Sequence, residues 1–399
     1  MRIRSWRFRS KLSTVESLFS AKPDWIASAK SLLQRHATWR LARNVLLAVF
    51  CFVGVFQFDY APIVVKEADA AHAPPVNCAI LLFGLPRQFR AAVLPGIVEH
   101  VLPHNTACDV FIHYYNQSSE DHTRGADAGR SGIWDPHDVH LLGEYIPKGK
   151  LFVAMEESED TFFQRYQPLL DKIWAPGSLY QTSSESIAFS NASLTNVIKM
   201  WHSQRAVFQL MEAQEHSMHY SSIAMLRNDV LFVRPVPDFS RPQTVATVPG
   251  FGKYPVSDRF FYGPYDAAKI WADKFQRLDQ HIRHNSRDGL HSEKMLRSTI
   301  FPAIRHAGVD IVEDKTHQCC IRVRADTSMR LQDCGRECGH DPRNAAYVAA
   351  LLQRPCHMNF SNPAVVLLEC GDAAARTEAD PPLLALADTP GWQNCPWHD

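Results

Sequence analysis

An apolar run that stops on Arg227-Asn228-Asp229 is the part of this 399-residue chain most able to do chemistry. In Ile223-Ala-Met-Leu-Arg-Asn-Asp-Val-Leu-Phe-Val233 the charged cluster interrupts a segment that is otherwise strand-like and apolar. Ligands of open α/β sheets bind in the crevice beyond the carboxyl ends of the strands, so an acid closing a buried strand is placed to hold a divalent cation and a phosphate. The competing reading is a polar strand exit in which Arg227 and Asp229 pair with each other. A second concentration of reactive residues comprises Cys319, Cys320, Cys334, Cys338, Cys356, Cys370 and Cys395, with His340 and His357 beside it. An oxidising compartment would turn these cysteines into disulfides. A zinc site built from Cys334, Cys338, His340, Cys356 and His357 is the alternative, on looser spacing than usual.

The elements that must position these residues follow from periodicity. Cys78-Ala-Ile-Leu-Leu-Phe83 ends at Gly84 and leads into a helical repeat of Phe89, Val93, Ile97 and Val101, with a bend or late start at Pro95. Asp109-Val-Phe-Ile-His-Tyr-Tyr115 is a second buried strand, which makes the opening a βαβ unit with a parallel sheet. Residues 117–130 are polar and glycine-containing, a surface loop. From an N-cap at Ser193, Leu194, Val197, Ile198, Trp201, Phe208 and Met211 trace a helical face that delivers the chain to Ile223. Val245–Pro249 is a strand. Asp266 caps one helix carrying Ile270, Trp271, Phe275, Leu278 and Ile282, and Ser292 opens another that stops at Gly308. Val309–Val312 and Cys320–Val323 are closing strands. Residues 327–399 form a cysteine-rich, disulfide-stapled extension with a helix around Asn344–Gln353.

Taken in order, Ala79-Ile-Leu-Leu-Phe-Gly-Leu-Pro-Arg87, Asp109-Val-Phe-Ile-His113, Met225-Leu-Arg-Asn-Asp-Val-Leu-Phe232 and Ser257-Asp-Arg-Phe-Phe-Tyr-Gly263 resemble the GT-A-type nucleotide-sugar glycosyltransferases. The likeness is to single-pass Golgi enzymes with a short cytosolic tail and covers residues 76–326. It implies an α/β fold with a mixed, mostly parallel sheet, a nucleotide-sugar donor, a glycan or glycoprotein acceptor, and Mn²⁺ or Mg²⁺ on the donor diphosphate. Such enzymes carry two acids flanking one residue, whereas Arg227 stands at the first position here and Asp229 is the matched acid. Arg227 could itself offset phosphate charge. The resemblance further implies donor contacts at Arg87, Arg227, Asp229 and Arg259, a general base at Asp258 or Glu293, and a metal set of Asp229 with His317. The alternatives are an Asp258/Arg259 turn and helix-start capping by Glu293. Arg322 and Arg324, alternating along a late strand, contact phosphate or acceptor acids, or pair with carboxylates.

The ends of the chain bear on location. With 46% hydrophobic and 21% charged residues, it can bury a catalytic-sized core. Residues 1–44 hold ten Lys/Arg against Glu16 and Asp24, so a formally neutral chain has an acidic remainder, which excludes nucleic acid as a partner of the main body. The charge-free segment 45–58 follows, then a Pro/Ala-rich stem over 59–75. A short span with its basic side cytosolic gives a type II signal anchor. A mitochondrial transit peptide and a cleaved signal ending near Ala68–Ala73 are the alternatives. Asn116, Asn191 and Asn359 begin glycosylation sequons.

Overall fold

The chain divides into Met1–Asp59 and Tyr60–Asp399. The computed structural model describes residues 64–65 and 78–371, apart from 121–130, 182–190, 215–219, 242, 253, 285–288, 316–318, 335–341 and 363–364. The proposed span 45–58, most of the stem, and His317 therefore lie outside the described residues. Among those described, no helix is long and apolar enough to cross a membrane.

The main strands are Val64–Val65 (β1), Cys78–Gly84 (β2), Asp109–Tyr115 (β3), Ser119–Glu120 (β4), Gly132–Ile133 (β5), Phe152–Glu157 (β6), Ser222–Arg227 (β7), Val230–Phe232 (β8), Val245–Pro249 (β9), Phe260–Pro264 (β10) and Asp310–Asp314 (β11). Eight of them form one sheet in the order β1-β6-β3-β2-β7-β10-β9-β11. β6, β3, β2 and β7 run parallel, as do β9 and β11; β10 opposes β7 and β9, and β1 opposes β6. This is the mostly parallel α/β sheet that the apolar runs predict. From β2 the chain winds outward to β3 and β6, then returns to place β7 on the other side of β2. Winding reverses between β2 and β7, and the crevice at their carboxyl ends is where open sheets bind ligands.

Both faces of the sheet are covered, because β2 is apolar at every position of its buried run. Ile80 and Leu82 enter one core cluster, and Leu81 and Phe83 enter the other. The second cluster packs under the helices Glu159–Trp174, Asn191–Glu212, Tyr265–Ala272 and Leu278–His284 and the helical segment from Ser292 to His306. The first contains the helix Leu94–His100 and the C-terminal residues Val348, Leu352 and Leu368. The C-terminal region thus shares a core with β2, through a sheet of Met329–Arg330 (β13), Cys356–Asn362 (β14) and Val365–Cys370 (β15) and the helix Pro342–Leu352.

Several local expectations change. Ser193 lies inside the helix Asn191–Glu212, so it does not cap it. Asp266 is a first-turn residue of Tyr265–Ala272, which Pro264 caps. The single helix expected from Asp266 through Ile282 breaks at Asp273, where Lys274 turns inward to donate from Nζ to Gln204 Oε1 at 2.5 Å and Trp271 O at 2.6 Å. Satisfying a buried ammonium outweighs one more helical turn. Part of the expected loop 117–130 is paired, with β4 antiparallel to β5. Cys320–Arg322 (β12) leaves the main sheet and pairs with β8.

Disulfides join Cys78 to Cys108, Cys319 to Cys334, and Cys356 to Cys370, while Cys320 is a buried free thiol. The zinc alternative fails because Cys334 and Cys356 are consumed in these bonds. The Cys78–Cys108 bridge falls outside the C-terminal cluster and spans 30 residues, so it restricts the unfolded chain by about 3–4 kcal/mol.

Candidate functional site

The apolar run from Ile223 stops at Arg227 because the next residue has to close the ends of its neighbours. Asn228 is fully buried; its backbone N–H donates to Phe83 O at 2.8 Å, and its side-chain amide donates to Gly84 O at 3.0 Å and His113 O at 3.1 Å. One side chain thereby ties the end of β2 to β3 by donating to a carbonyl of each. With Asn228 pinned, Asp229 turns into the crevice and the chain departs as β8. Antiparallel pairing of β8 with β12 sets Arg322 opposite Val230, one residue beyond Asp229.

Three guanidinium groups surround the Asp229 carboxylate. Arg227 donates from Nε to Oδ1 at 2.7 Å and from Nη2 to Oδ2 at 2.8 Å, a bidentate fork. Arg87, three residues past Gly84, donates from Nη1 to Oδ2 at 2.7 Å, and Arg322 Nε lies 3.7 Å from the same oxygen. Gly84 takes φ +98°, a left-handed value that turns the chain towards Arg87. The remaining face of Arg87 is held by Glu120, which accepts from Nε at 2.6 Å and Nη2 at 2.9 Å.

β10 starts beside the end of β7, with Phe260 opposite Leu226, so Asp258 and Arg259 overhang the same crevice. Arg227 Nη1 lies 3.5 Å from Asp258 Oδ1, and Arg259 Nη1 lies 2.8 Å from Asp333 Oδ2. Glu293 is within electrostatic reach of Arg227, and its Oε2 lies 3.1 Å from His291 Nδ1. The donor and base candidates Arg87, Arg227, Asp229, Asp258, Arg259 and Glu293 are thus brought into one linked cluster. Glu293 also sits in the first turn of Ser292–Met295, as the capping alternative requires. Its neighbour Lys294 lines a cleft of about 510 Å³ together with Tyr254, Pro255, Arg297 and Ser298.

Charge in the cluster is strongly biased. Burial opposes ionisation of Asp229, but Arg227, followed by Arg322 and Arg87, holds its carboxyl well below the usual range. For Asp258, too, burial is outweighed, by Arg227, Arg322 and Arg259, and the pKa falls. Arg87 and Arg227 are pushed up against burial, mainly by Glu120 and by Asp229 respectively. Arg324 is the exception. Burial is the largest influence on it and lowers its pKa, because the support of Asp333 does not offset burial and the repulsion of Arg87 and Arg259. Arg324 makes no ion pair among the described residues.

The donor set does not fit Mn²⁺ or Mg²⁺ at Asp229. Both of its oxygens already accept from guanidinium groups, and the neighbouring acid Asp258 is paired with Arg227. A hard dication wants carboxylate oxygens free of competing cations. The residues that sequence reasoning missed are Glu120, Asp333 and Lys274. Glu120 lies in what reads as a polar loop and Asp333 in the cysteine-rich tail. Lys274, pushed down to about 7 by burial, interrupts an otherwise regular helical pattern.

Fold and site together define a doubly wound α/β protein with an arginine–carboxylate cluster at its topological switch point. No family model matches the chain, and no curated protein does. Among solved structures, it is similar to the apo-form glycosyltransferase GlyE of Streptococcus pneumoniae TIGR4 at 8% identity and a TM-score of 0.28, over 59% of this chain and 45% of that one. The chain therefore spans less than half of that protein.

Proposed function

We propose that this chain is a glycosyltransferase that moves a sugar from a nucleotide-sugar donor to a hydroxyl of a glycan or glycoprotein. The observation that carries the reading is the arginine–carboxylate cluster in the crevice between β2 and β7, with Arg324 making no ion pair among the described residues. A donor diphosphate would complete that charge arrangement, seated by Arg324 with Arg87, Arg322 and Arg259 at its rim. Guanidinium groups then take the part played elsewhere by Mn²⁺ or Mg²⁺, stabilising the negative charge that accumulates on the departing nucleoside diphosphate. Glu293 serves as the base on the acceptor hydroxyl in preference to Asp258, whose lowered pKa makes it a weak proton acceptor. The acceptor enters by the cleft that Lys294 and Arg297 line. A glycosidase is disfavoured, since its general acid needs a raised pKa and both Asp229 and Asp258 are held down.

The full chain should bind at least one nucleoside diphosphate, and hydrolyse or transfer from the matching sugar donor, with EDTA present. Calorimetry across a donor panel, with and without Mn²⁺, checks this. Binding that appears only with Mn²⁺ would restore the cation reading. No binding of any donor would favour a second reading, a catalytically silent glycan-binding or scaffold protein, which the internal saturation of Asp229 favours.

Location forms part of the proposal: a single-pass type II Golgi protein anchored by residues 45–58, with the folded region luminal. The disulfides support an oxidising compartment. Asn116 and Asn191 are exposed, whereas Asn359 is part-buried and donates to Glu369 Oε1 at 2.8 Å. Endoglycosidase treatment should speed the migration of the C-terminally tagged chain, and Asn116→Gln with Asn191→Gln should abolish most of the shift. An unshifted chain found in mitochondria would replace the anchor with the transit-peptide reading.

A further inference from the structure

On the helical side of the sheet, at the exits of β3 and β6, three buried side chains converge: His113, Glu157 and His202. Their ligand atoms all lie within 4.8 Å of one another. Glu157 Oε2 is 3.2 Å from His113 Nε2 and 2.5 Å from His202 Nε2. None of the three belongs to the cluster around Asp229.

The other partners of these rings determine which nitrogens carry protons. Ser203 Oγ accepts from Gly84 N–H at 2.8 Å and lies 3.3 Å from His113 O and 2.7 Å from His113 Nδ1; with its hydrogen on that carbonyl, it accepts from Nδ1. A neutral His113 protonated on Nδ1 presents a bare lone pair at Nε2. For His202, Arg165 Nη1 lies 2.8 Å from Nε2, and a guanidinium can only donate, so Nε2 is again a lone pair, while Nδ1 meets Tyr166 Oη at 2.9 Å. In these tautomers two imidazole lone pairs and a carboxylate oxygen face one another, with Arg165 Nη1 2.8 Å from both His202 Nε2 and Glu157 Oε1. Such an arrangement of acceptors draws in a cation, a part that the Arg165 guanidinium takes on one side and that a metal ion would take among all three ligand atoms.

We propose that His113 Nε2, His202 Nε2 and Glu157 Oε2 form a binding site for a borderline divalent metal of the zinc class. Two imidazoles and one carboxylate are an established donor set for such ions, and the two Nδ1 partners, Ser203 and Tyr166, hold the rings in the ligating tautomer. Bonds of about 2.0–2.1 Å in a tetrahedral site put ligand atoms roughly 3.3 Å apart. The His113–Glu157 separation of 3.2 Å matches, and the His202–Glu157 pair has to open by under about 1 Å. Arg165 is the cation with which the ion would compete for His202 Nε2. Its side chain is 33% exposed and donates to the other carboxylate oxygen, Glu157 Oε1, at 2.8 Å, so it can release His202 without abandoning Glu157.

The full chain, stripped with a chelator and dialysed against Zn²⁺ alone, should retain one equivalent, and Co²⁺ in its place should give the visible bands of an imidazole-ligated ion. His113→Ala with His202→Ala should weaken retention at least 100-fold. Arg165→Met keeps every ligand and removes the competing cation, so it should bind several-fold more tightly, which guards against a ligand variant that simply fails to fold. Tyr166→Phe should weaken binding about tenfold. The proposal is overturned if the folded wild-type chain and Arg165→Met both retain no Zn²⁺ or Co²⁺. It is equally overturned if the double histidine variant retains the ion, or if Arg165→Met binds it less tightly.

Discussion

Asp229→Asn is expected to destabilise the folded chain by about 3–5 kcal/mol, the range for breaking a buried ion pair from one side. Asp229 accepts from Arg227 twice and from Arg87 once, with Arg322 near the same oxygen, in a site that is almost wholly buried. Removing its charge strands these guanidinium groups against one another. The asparagine amide would also turn N–H donors towards N–H donors. Urea melts of the full chain in detergent measure the loss. Acid supplies a second check. The folded-state pKa of Asp229 lies below its unfolded value, so its contribution to stability is fully present above the unfolded carboxylate pKa and disappears as pH falls through the folded one. The gap between wild type and variant should therefore be constant near neutrality and narrow below about pH 4. Asp258→Asn should cost less, because its contact with Arg227 is 3.5 Å and unforked. A loss under about 1 kcal/mol for Asp229→Asn would mean that the carboxylate does not hold the cluster together.

Arg324→Gln should behave in the opposite way, sparing the fold and impairing the ligand. Its charge is opposed by burial and by Arg87 and Arg259, and no carboxylate pairs with it among the described residues. Neutralising it relieves that repulsion, so stability should change by less than about 1 kcal/mol or rise slightly. A guanidinium bound to a phosphate contributes about 1.5–3 kcal/mol through charge-assisted hydrogen bonds, so affinity for a nucleoside diphosphate should fall about 10- to 100-fold. Calorimetric titration of wild type and variant decides it. Unchanged affinity would remove Arg324 from the donor site, and a loss of stability comparable to that of Asp229→Asn would make it a structural member of the cluster.

The opposite outcomes expected for Asp229 and Arg324 reflect what periodicity can and cannot reveal. The strands at Cys78, Asp109, Ile223 and Val245 are legible because burial on both faces demands uninterrupted apolar runs, whereas the run at Val309 becomes the exposed edge strand β11. The stop at Arg227-Asn228-Asp229 is equally legible, although its cause, the Asn228 amide closing the ends of β2 and β3, needs the neighbours in place. Helix ends are less legible. Asp266 and Ser193 have the right chemistry for caps, but each lies one or more residues inside its helix. Lys274 breaks a regular pattern for the sake of Gln204, a partner 70 residues away.

By itself the sequence determined the α/β alternation, the position of the acid at a strand exit, and the candidates Arg87, Arg227, Asp229, Asp258, Arg259 and Glu293, because these depend on local burial and on the order of elements. Tertiary structure alone decided what those residues do to one another. It turned a single acid into the hub of three arginines, drew Glu120 and Asp333 in as counter-charges, and left Arg324 without an ion pair among the described residues. It also brought His113, Glu157 and His202 together from two strands and a helix. The physical reason is that a charge's state depends on distance and on the loss of water, and both are properties of the packed chain.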